Sequence, residues 1–390
     1  MSRPSCNAFL RAPALLLLVT VAQCTRAPTP DAPRFYRAVA QAAVAGRRFL
    51  ESMDAASEGL APDHLAALVQ KIATAHSLPL QAARAALDSA PPPPELQAFA
   101  AEVREAFGHI EQALAHFTAS AGAPQRQSIA DVLATLHHLA RAQAGFYALR
   151  ADLPPFTGYW QLAHTNVPDL PGRNADSHGP ATGVIDLAAS GHHNGFALYV
   201  PETYSDQHAW PLIMALHGAR GNGQDFLWTW LREAKSLGYL VVAPSARGDT
   251  WAPDDDVGLL EILSWVNAHY QVANHRVLLT GMSDGATYTL LHGLAHPDEY
   301  RALAPLCGVL HPANDTLGNL QRARGMPIYL VHGEQDFIFP VQGARMARDA
   351  LSNAGALVEY RELPELSHTY PRSENVRILH WFEALPPGKG

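Results

Sequence analysis

Ser283, Asp336 and His368 follow one another along the chain, each in a local setting suited to nucleophilic chemistry. Ser283 lies in Gly281-Met282-Ser283-Asp284-Gly285, Asp336 ends His332-Gly333-Glu334-Gln335-Asp336, and His368 ends Leu363-Pro364-Glu365-Leu366-Ser367-His368. A serine hydroxyl attacks a carbonyl only when a neighbouring base takes its proton. An imidazole does this best when a carboxylate fixes its tautomer and stabilises its charged form. The series therefore points to acyl transfer, with Ser283 as nucleophile, His368 as base and Asp336 as orienting acid. Gly-x-Ser-x-Gly alone is weak in a chain with 28 glycines among 390 residues. Its weight comes from position. It follows the apolar run Val277-Leu278-Leu279-Thr280 and precedes an amphipathic helix, the setting of a tight turn that lifts a hydroxyl into a cleft.

Such chemistry also needs hydrogen-bond donors for a developing oxyanion. The Asp284 amide, at the start of the helix, is one. The Ala219 amide, in Leu216-His217-Gly218-Ala219-Arg220-Gly221, is the second, because Gly218 lets the backbone turn inward. The Asp284 side chain is expected to point away and cap the helix. Trp251 and Phe337 are candidate pocket walls by their loop placement, with Phe339 and Tyr370 on the same rim. Arg220 is read as a surface salt-bridge partner, with recognition of an acidic substrate group as the alternative. Asp254-Asp255-Asp256 opens a helix, and N-terminal capping accounts for the run without a metal. None of the 20 histidines falls in a His-Glu-x-x-His or Cys-x-x-Cys pattern, so no metal site is expected.

The elements that must position these residues follow from hydrophobic periodicity. Apolar runs at 196–200, 212–216, 240–243, 277–280 and 328–331, with Val358-Glu359-Tyr360 as an edge candidate, alternate with helical segments at about 223–237, 257–270, 284–296, 342–354 and 373–384. Such runs make a mostly parallel sheet with helices on both faces, whose ligands bind at the carboxyl ends of the strands. Each motif above lies immediately after one of them. Residues 155–390 are accordingly read as an α/β catalytic domain. Ahead of it, 30–150 is Ala-rich, with Phe35, Val39, Ala43 and Phe49, then Phe99, Val103, Phe107 and Ile110, at helical spacing. This is an all-α domain of four or five helices, interrupted at Pro91 to Pro94. It carries no chemical motif, and its His137-His138 pair is read as part of a solvated face. A domain that covers the active site or docks a protein partner is the alternative.

The formal charge of -8 and a pI near 6.2 argue against a nucleic-acid partner. Residues 1–24 read as an export signal to the periplasm or exterior. Arg3 and Arg11 give a positive n-region ahead of an apolar run, Ala14-Leu15-Leu16-Leu17-Leu18-Val19, that is too short to span a bilayer. Cys24 is either the lipidated residue of a membrane-anchored lipoprotein or the last residue removed by simple cleavage. Only Cys307 then remains, read as a small core residue, and no intrachain disulfide can form.

From about Phe196 to Trp381 the sequence resembles the α/β-hydrolase superfamily. It is most similar to the branch of small esterases that includes phospholipase/carboxylesterases and polyhydroxybutyrate-depolymerase-like or feruloyl-esterase-like proteins. The residues that carry this are Pro211-Leu212-Ile213-Met214-Ala215-Leu216-His217-Gly218, the segment Gly281 to Gly285, His332-Gly333-Glu334-Gln335-Asp336-Phe337-Ile338-Phe339-Pro340, and Ser367-His368. The resemblance implies Ser283 as nucleophile, Asp336 and His368 as its partners, and no cofactor. Met282-Ser283-Asp284 and Ala286 depart from the signatures of those esterases, so the substrate does not transfer with the family. The expected function is cleavage of small or polymeric carboxylic esters through an acyl-enzyme intermediate. The alternatives are a peptidase or thioesterase with the same three residues, or a non-catalytic exported protein binding through its helical domain.

Overall fold

The computed structural model describes residues 32–175 and 179–386. The export signal expected over 1–24, with Cys24, lies outside the described residues. Among the described residues, no helix is long and apolar enough to cross a membrane.

The chain divides into two compact units. The first contains 32–54, Val69–Tyr159 and Pro168–Pro171. Its helices are α1 (Ala32–Ala56), α2 (Pro62–Ser89), α3 (Gln97–Ser120) and α4 (Gln125–Ala148). The proline run at 91–94 separates α2 from α3, since proline supplies no amide for another helical turn. The α1 face Phe35, Val39, Ala42 and Phe49 is buried, as the helical spacing requires. α3 and α4 pack closely where Gly145 lacks a side chain: a Cβ there would sit 2.7 Å from that of Ala106. Arg84 forks onto Glu111, and Phe146 stacks on Phe156 at 4.5 Å. The His137-His138 pair is not simply solvated. His138 bonds His109 through their Nδ1 atoms at 3.0 Å and stacks on His116 at 5.5 Å, while His116 bonds Asp131 at 3.2 Å.

The second unit contains Ala55–Leu68, Trp160–Val167 and 172–386. It is built on an eight-stranded sheet in the order β1-β2-β4-β3-β5-β6-β7-β8. The strands are β1 (Gly183–Leu187), β2 (Phe196–Val200), β3 (Trp210–Leu216), β4 (Leu240–Pro244), β5 (Val272–Met282), β6 (Ala302–Leu306), β7 (Pro327–Gly333) and β8 (Leu357–Leu363). β2 runs antiparallel to both β1 and β4, and all the other pairs are parallel. Every residue of β2, β4, β6 and β7 is buried, so both faces of the sheet are covered. The main helices are α5 (Leu231–Leu237), α6 (Asp256–His269), α7 (Asp284–Ala295), α8 (Val341–Asn353) and α9 (Asn375–Ala384). The continuous helix expected over 223–237 is broken into a single turn, a 3-10 turn at Leu227–Thr229, and α5.

Two strands escape the periodicity reading. β1 is a short edge strand carrying Asp186 and shows no clean alternation of burial. β6 contains Pro305, a residue that argues against a central strand because it cannot donate to the ladder. It nonetheless lies between β5 and β7.

Cys307 immediately follows β6 and is fully buried, with a positive φ of 54°. Burial, reinforced by the charge of Asp336, pushes its thiol up to about 12. The reactive thiolate is therefore scarce at neutral pH. Iodoacetamide at pH 8 is expected to leave Cys307 unmodified in the folded protein and to label it fully in denaturant. Peptide mapping by mass spectrometry checks this, and labelling of Cys307 within minutes under native conditions would contradict it.

Candidate active site

Ser283 occupies the turn between β5 and α7, with φ 60° and ψ -118°. A side-chain-bearing residue held there costs about 1–3 kcal/mol, so the surroundings must impose it. The Ser283 amide donates to the Leu306 carbonyl at 2.9 Å, and the Ser283 carbonyl accepts from the Thr287 amide at 3.0 Å. Glycines on either side make the turn possible. A Cβ on Gly281 would lie 2.5 Å from the Gly285 carbonyl oxygen, and one on Gly285 would collide with the carbonyls of Leu216 and His217. Both contacts are with backbone, which cannot swing aside.

Asp336 and His368 are brought together by continuing the parallel pairing of β7 and β8 beyond the strands. The Glu334 amide donates to the Leu363 carbonyl and the Gln335 amide to the Leu366 carbonyl, both at 3.0 Å. Past this join, His368 Nδ1 lies 2.8 Å from Asp336 Oδ2, and His368 Nε2 lies 2.8 Å from Ser283 Oγ. The other carboxylate oxygen, Asp336 Oδ1, accepts the amides of Ile338 (2.9 Å) and Phe339 (2.7 Å). Burial alone would raise the Asp336 carboxyl. The hydrogen bond and charge of His368, with the two amides, outweigh it and hold the group below its ordinary value. Asp336 is thus a carboxylate, His368 Nδ1–H donates to it, and Nε2 is left to accept the Ser283 hydroxyl proton. His332 braces the same loop: its Nε2 donates to the Phe339 carbonyl at 2.8 Å and lies 3.4 Å from Asp336 Oδ2.

The loop after β3 abuts the serine, since a Cβ on Gly218 would lie 3.5 Å from that of Ser283. His217, the residue before it, is buried and braces the loop. Its Nε2 accepts the Ala246 amide at 3.0 Å, so its proton sits on Nδ1 and is donated to the Gly218 carbonyl at 2.7 Å. Burial lowers this imidazole's affinity for a second proton. Ala219 follows in this loop, and Asp284 follows Ser283 as the first residue of α7.

Trp251 is only 7 % exposed. Its indole N–H donates to the His217 carbonyl at 2.8 Å and its ring packs on His217 at 4.9 Å, so it supports the loop rather than lining an open pocket. The Asp284 carboxylate does not cap α7 as expected. It accepts the Trp251 amide at 2.7 Å. Arg220 is exposed, with φ 61°, and faces Asp249 at 3.7 Å, in keeping with a surface ion pair.

Phe337 is 42 % exposed, with its ring edge-on to His368 at 6.5 Å, and Phe339 meets the same imidazole at 5.4 Å. Tyr370 turns its hydroxyl onto Asn375 at 2.8 Å. One contributor has no signal in the sequence. Glu58 accepts the Ser373 amide (2.6 Å) and hydroxyl (3.0 Å), and its carbonyl accepts Thr369 Oγ1, the residue after His368, at 3.4 Å. A separation of more than 300 residues hides this clamp from any local pattern.

Residues 259–384 match the family described as Phospholipase/Carboxylesterase. A bifunctional acetylxylan esterase/xylanase of Neocallimastix patriciarum is 29% identical over 181 residues, covering 42% of this chain and 24% of that protein. A probable feruloyl esterase C of Aspergillus clavatus is 25% identical over 189 residues, covering 45% of this chain and 65% of that protein. The chain therefore spans less than two thirds of the length of either relative. A solved structure of a thermostable esterase aligns over 51% of this chain and 62% of its own, with 19% identity and a TM-score of 0.44. The stretch of similarity to the phospholipase/carboxylesterase family runs from α6 to α9 and includes the turn at Ser283, Asp336 and His368.

Proposed function

We propose that this protein is a serine hydrolase that cleaves carboxylic esters through an acyl-enzyme intermediate. The observation that carries the reading is the run of two 2.8 Å hydrogen bonds from Asp336 through His368 to Ser283 Oγ. In this reading His368 Nε2 takes the Ser283 proton as Oγ attacks the ester carbonyl carbon. The amides of Ala219 and Asp284 receive the oxyanion. His368 then returns the proton to the departing alcohol, and water repeats the sequence to release the acid and restore Ser283. Asp336 keeps its charge throughout and stabilises the imidazolium. Phe337, with Phe339, offers an apolar wall beside His368 for the acyl or alcohol group. An ester rather than an amide is favoured because the relatives are named as esterases of acetylated or feruloylated material. Export rests on the residue pattern of 1–24 alone.

Ser283→Ala is expected to lower turnover of p-nitrophenyl acetate and butyrate by at least about 10³-fold with an unchanged circular dichroism spectrum. Turnover equal to the parent's would remove the assignment, and a parallel panel of peptide and thioester substrates tests the choice of leaving group. Ser283→Gly removes the same nucleophile and relieves the positive φ. It is therefore expected to be inactive yet more stable, by about 1 kcal/mol in chemical denaturation. A destabilised glycine variant would show that the turn is not strained.

The depressed Asp336 carboxyl also gives a sign for acid behaviour. Its folded value lies below its unfolded one, so its contribution is complete above the unfolded value near 4. It is lost as pH falls through the folded value. Asp336→Asn should lose about 10⁴-fold in kcat by favouring the wrong His368 tautomer. The fall in its stability between pH 5 and pH 2 should also be shallower than the parent's, read by denaturant melts across that window. Parallel stability curves for the two proteins would count against a paired, ionised Asp336.

A further inference from the structure

We propose that Asp256, His292 and His296 form a binding site for a divalent transition-metal ion of the zinc type, separate from the Ser283 site. Asp256 is the first residue of α6. His292 lies in the last turn of α7 and His296 immediately follows that helix. The four-residue spacing in His292-Gly293-Leu294-Ala295-His296 sets both imidazoles on one face. One ligand atom from each of the three residues lies within 4.8 Å of the others. His292 Nδ1 is 2.6 Å from Asp256 Oδ1, and His296 Nε2 is 3.1 Å from Oδ1 and 2.9 Å from Oδ2. Ligands bound to zinc at about 2.0–2.2 Å in a tetrahedron stand roughly 3.3–3.5 Å apart, so the His296 pair must open by about half an ångström and the His292 pair by a little under 1 Å to admit the ion.

A second observation comes from behind the buried ligand. The His292 side chain is fully shielded, and its Nε2 lies 2.8 Å from Tyr300 Oη. Tyr300 Oη in turn reaches Met214 Sδ at 3.6 Å, an acceptor for its hydroxyl proton. When the Tyr300 hydroxyl donates to Met214 Sδ, its oxygen is free to accept from His292 Nε2–H. Nδ1 then presents a lone pair to the Asp256 carboxylate. In that tautomer two acceptors face each other at 2.6 Å, and a metal ion between them satisfies both. A partner on the outer nitrogen that fixes ring and tautomer is how metal-bound histidines are commonly held. The open side is equally suitable. The Asp256 and His296 side chains are 35% and 27% exposed, leaving solvent to supply a fourth ligand. Two imidazoles and one carboxylate suit zinc among the common divalent ions. The bound ion takes the place of the protons now bridging carboxylate and imidazoles, and these leave to solvent.

His292 is nine residues along from Ser283, roughly 13 Å at the helical rise, so the ion does not take part in ester cleavage. It ties the start of α6 to the end of α7, the helix that begins at the Ser283 turn.

The test uses the full chain, stripped with a chelator and dialysed, then titrated with Zn²⁺ alone by calorimetry. One equivalent is expected to bind, and Tm should rise by roughly 5 °C when free zinc exceeds Kd a hundredfold. His296→Ala and Asp256→Asn change half-exposed groups. Each should weaken binding at least about tenfold and cut the Tm rise at the same zinc concentration to about half or less, while the zinc-free Tm stays near the parent's. His292→Ala is avoided as the primary variant because it opens a buried site. If the parent binds no stoichiometric zinc, a hydrogen-bonded network held by protons is all that the cluster forms, and the proposal fails. Binding unaltered in both variants assigns the zinc elsewhere and overturns it equally.

Discussion

The backbone between Gly281 and Gly285 turns so tightly on itself and against the carbonyls of Leu216 and His217 that no Cβ fits at either glycine. This close approach is the constraint on which the rest depends. It lies where β5 stops and α7 starts, and Ser283 sits between the two glycines with positive φ. The Leu306 carbonyl then anchors the Ser283 amide from the neighbouring strand. Because β3, β5 and β6 are adjacent in the sheet, the serine, the loop carrying Ala219 and the end of β6 form one rigid platform. Strain of this kind persists only where the surroundings over-determine it. Here the over-determination is backbone against backbone at the buried centre of the sheet.

Charge is handled on the same platform by pairing Asp336, His217 and Asp284 with donors or acceptors already in place. Asp336 accepts one imidazole and two amides, so a carboxylate shielded from water remains ionised without an unpaired charge. His217 is kept neutral by the opposite arrangement, one backbone donor and one backbone acceptor, with burial disfavouring a second proton. Asp284 spends its carboxylate on the Trp251 amide, and Trp251 spends its indole on the His217 carbonyl. The start of α7 is thereby linked to the loop after β3 through Trp251. In the proposed reaction, dipoles fixed in advance need not reorient when charge develops.

The parts legible in the sequence are those with a local cause. Gly281 and Gly285 around Ser283, the apolar runs that became β2, β3, β4, β5 and β7, and the loops holding Asp336 and His368 all announce themselves within a few residues. β8 was visible as an edge because its residues mix charged and apolar types. What stayed hidden has a non-local cause. β6 is a strand because β5 and β7 flank it, despite Pro305. Trp251 sits in a loop, yet its partner is a carbonyl 34 residues away, so placement alone could not tell wall from brace. Capping explained Asp255, which accepts the amides of Ala252 and Arg247, but not Asp256, whose histidines arrive from α7. Glu58 is the extreme case, reaching the His368 loop from the far end of the chain.

The two halves of the Ser283–His368 pair stand on unequal ground. Ser283 rises from the buried middle of the sheet, where local opening approaches the cost of global unfolding. His368 follows β8, an edge strand with one neighbour and partly exposed residues, where opening is easier. A 2.8 Å hydrogen bond between them therefore requires the edge side to be tied down by other means. Three ties are present: the amide joins from Glu334 and Gln335 to the β8 loop, the tight approach of Gly333 to the Leu366 carbonyl, and the grip of Glu58 on Thr369 and Ser373. Each acts within five residues of His368, and none contributes a group to the site itself. The rigidity of the imidazole is thus borrowed from β7 and from the 55–68 segment rather than from the strand that carries it.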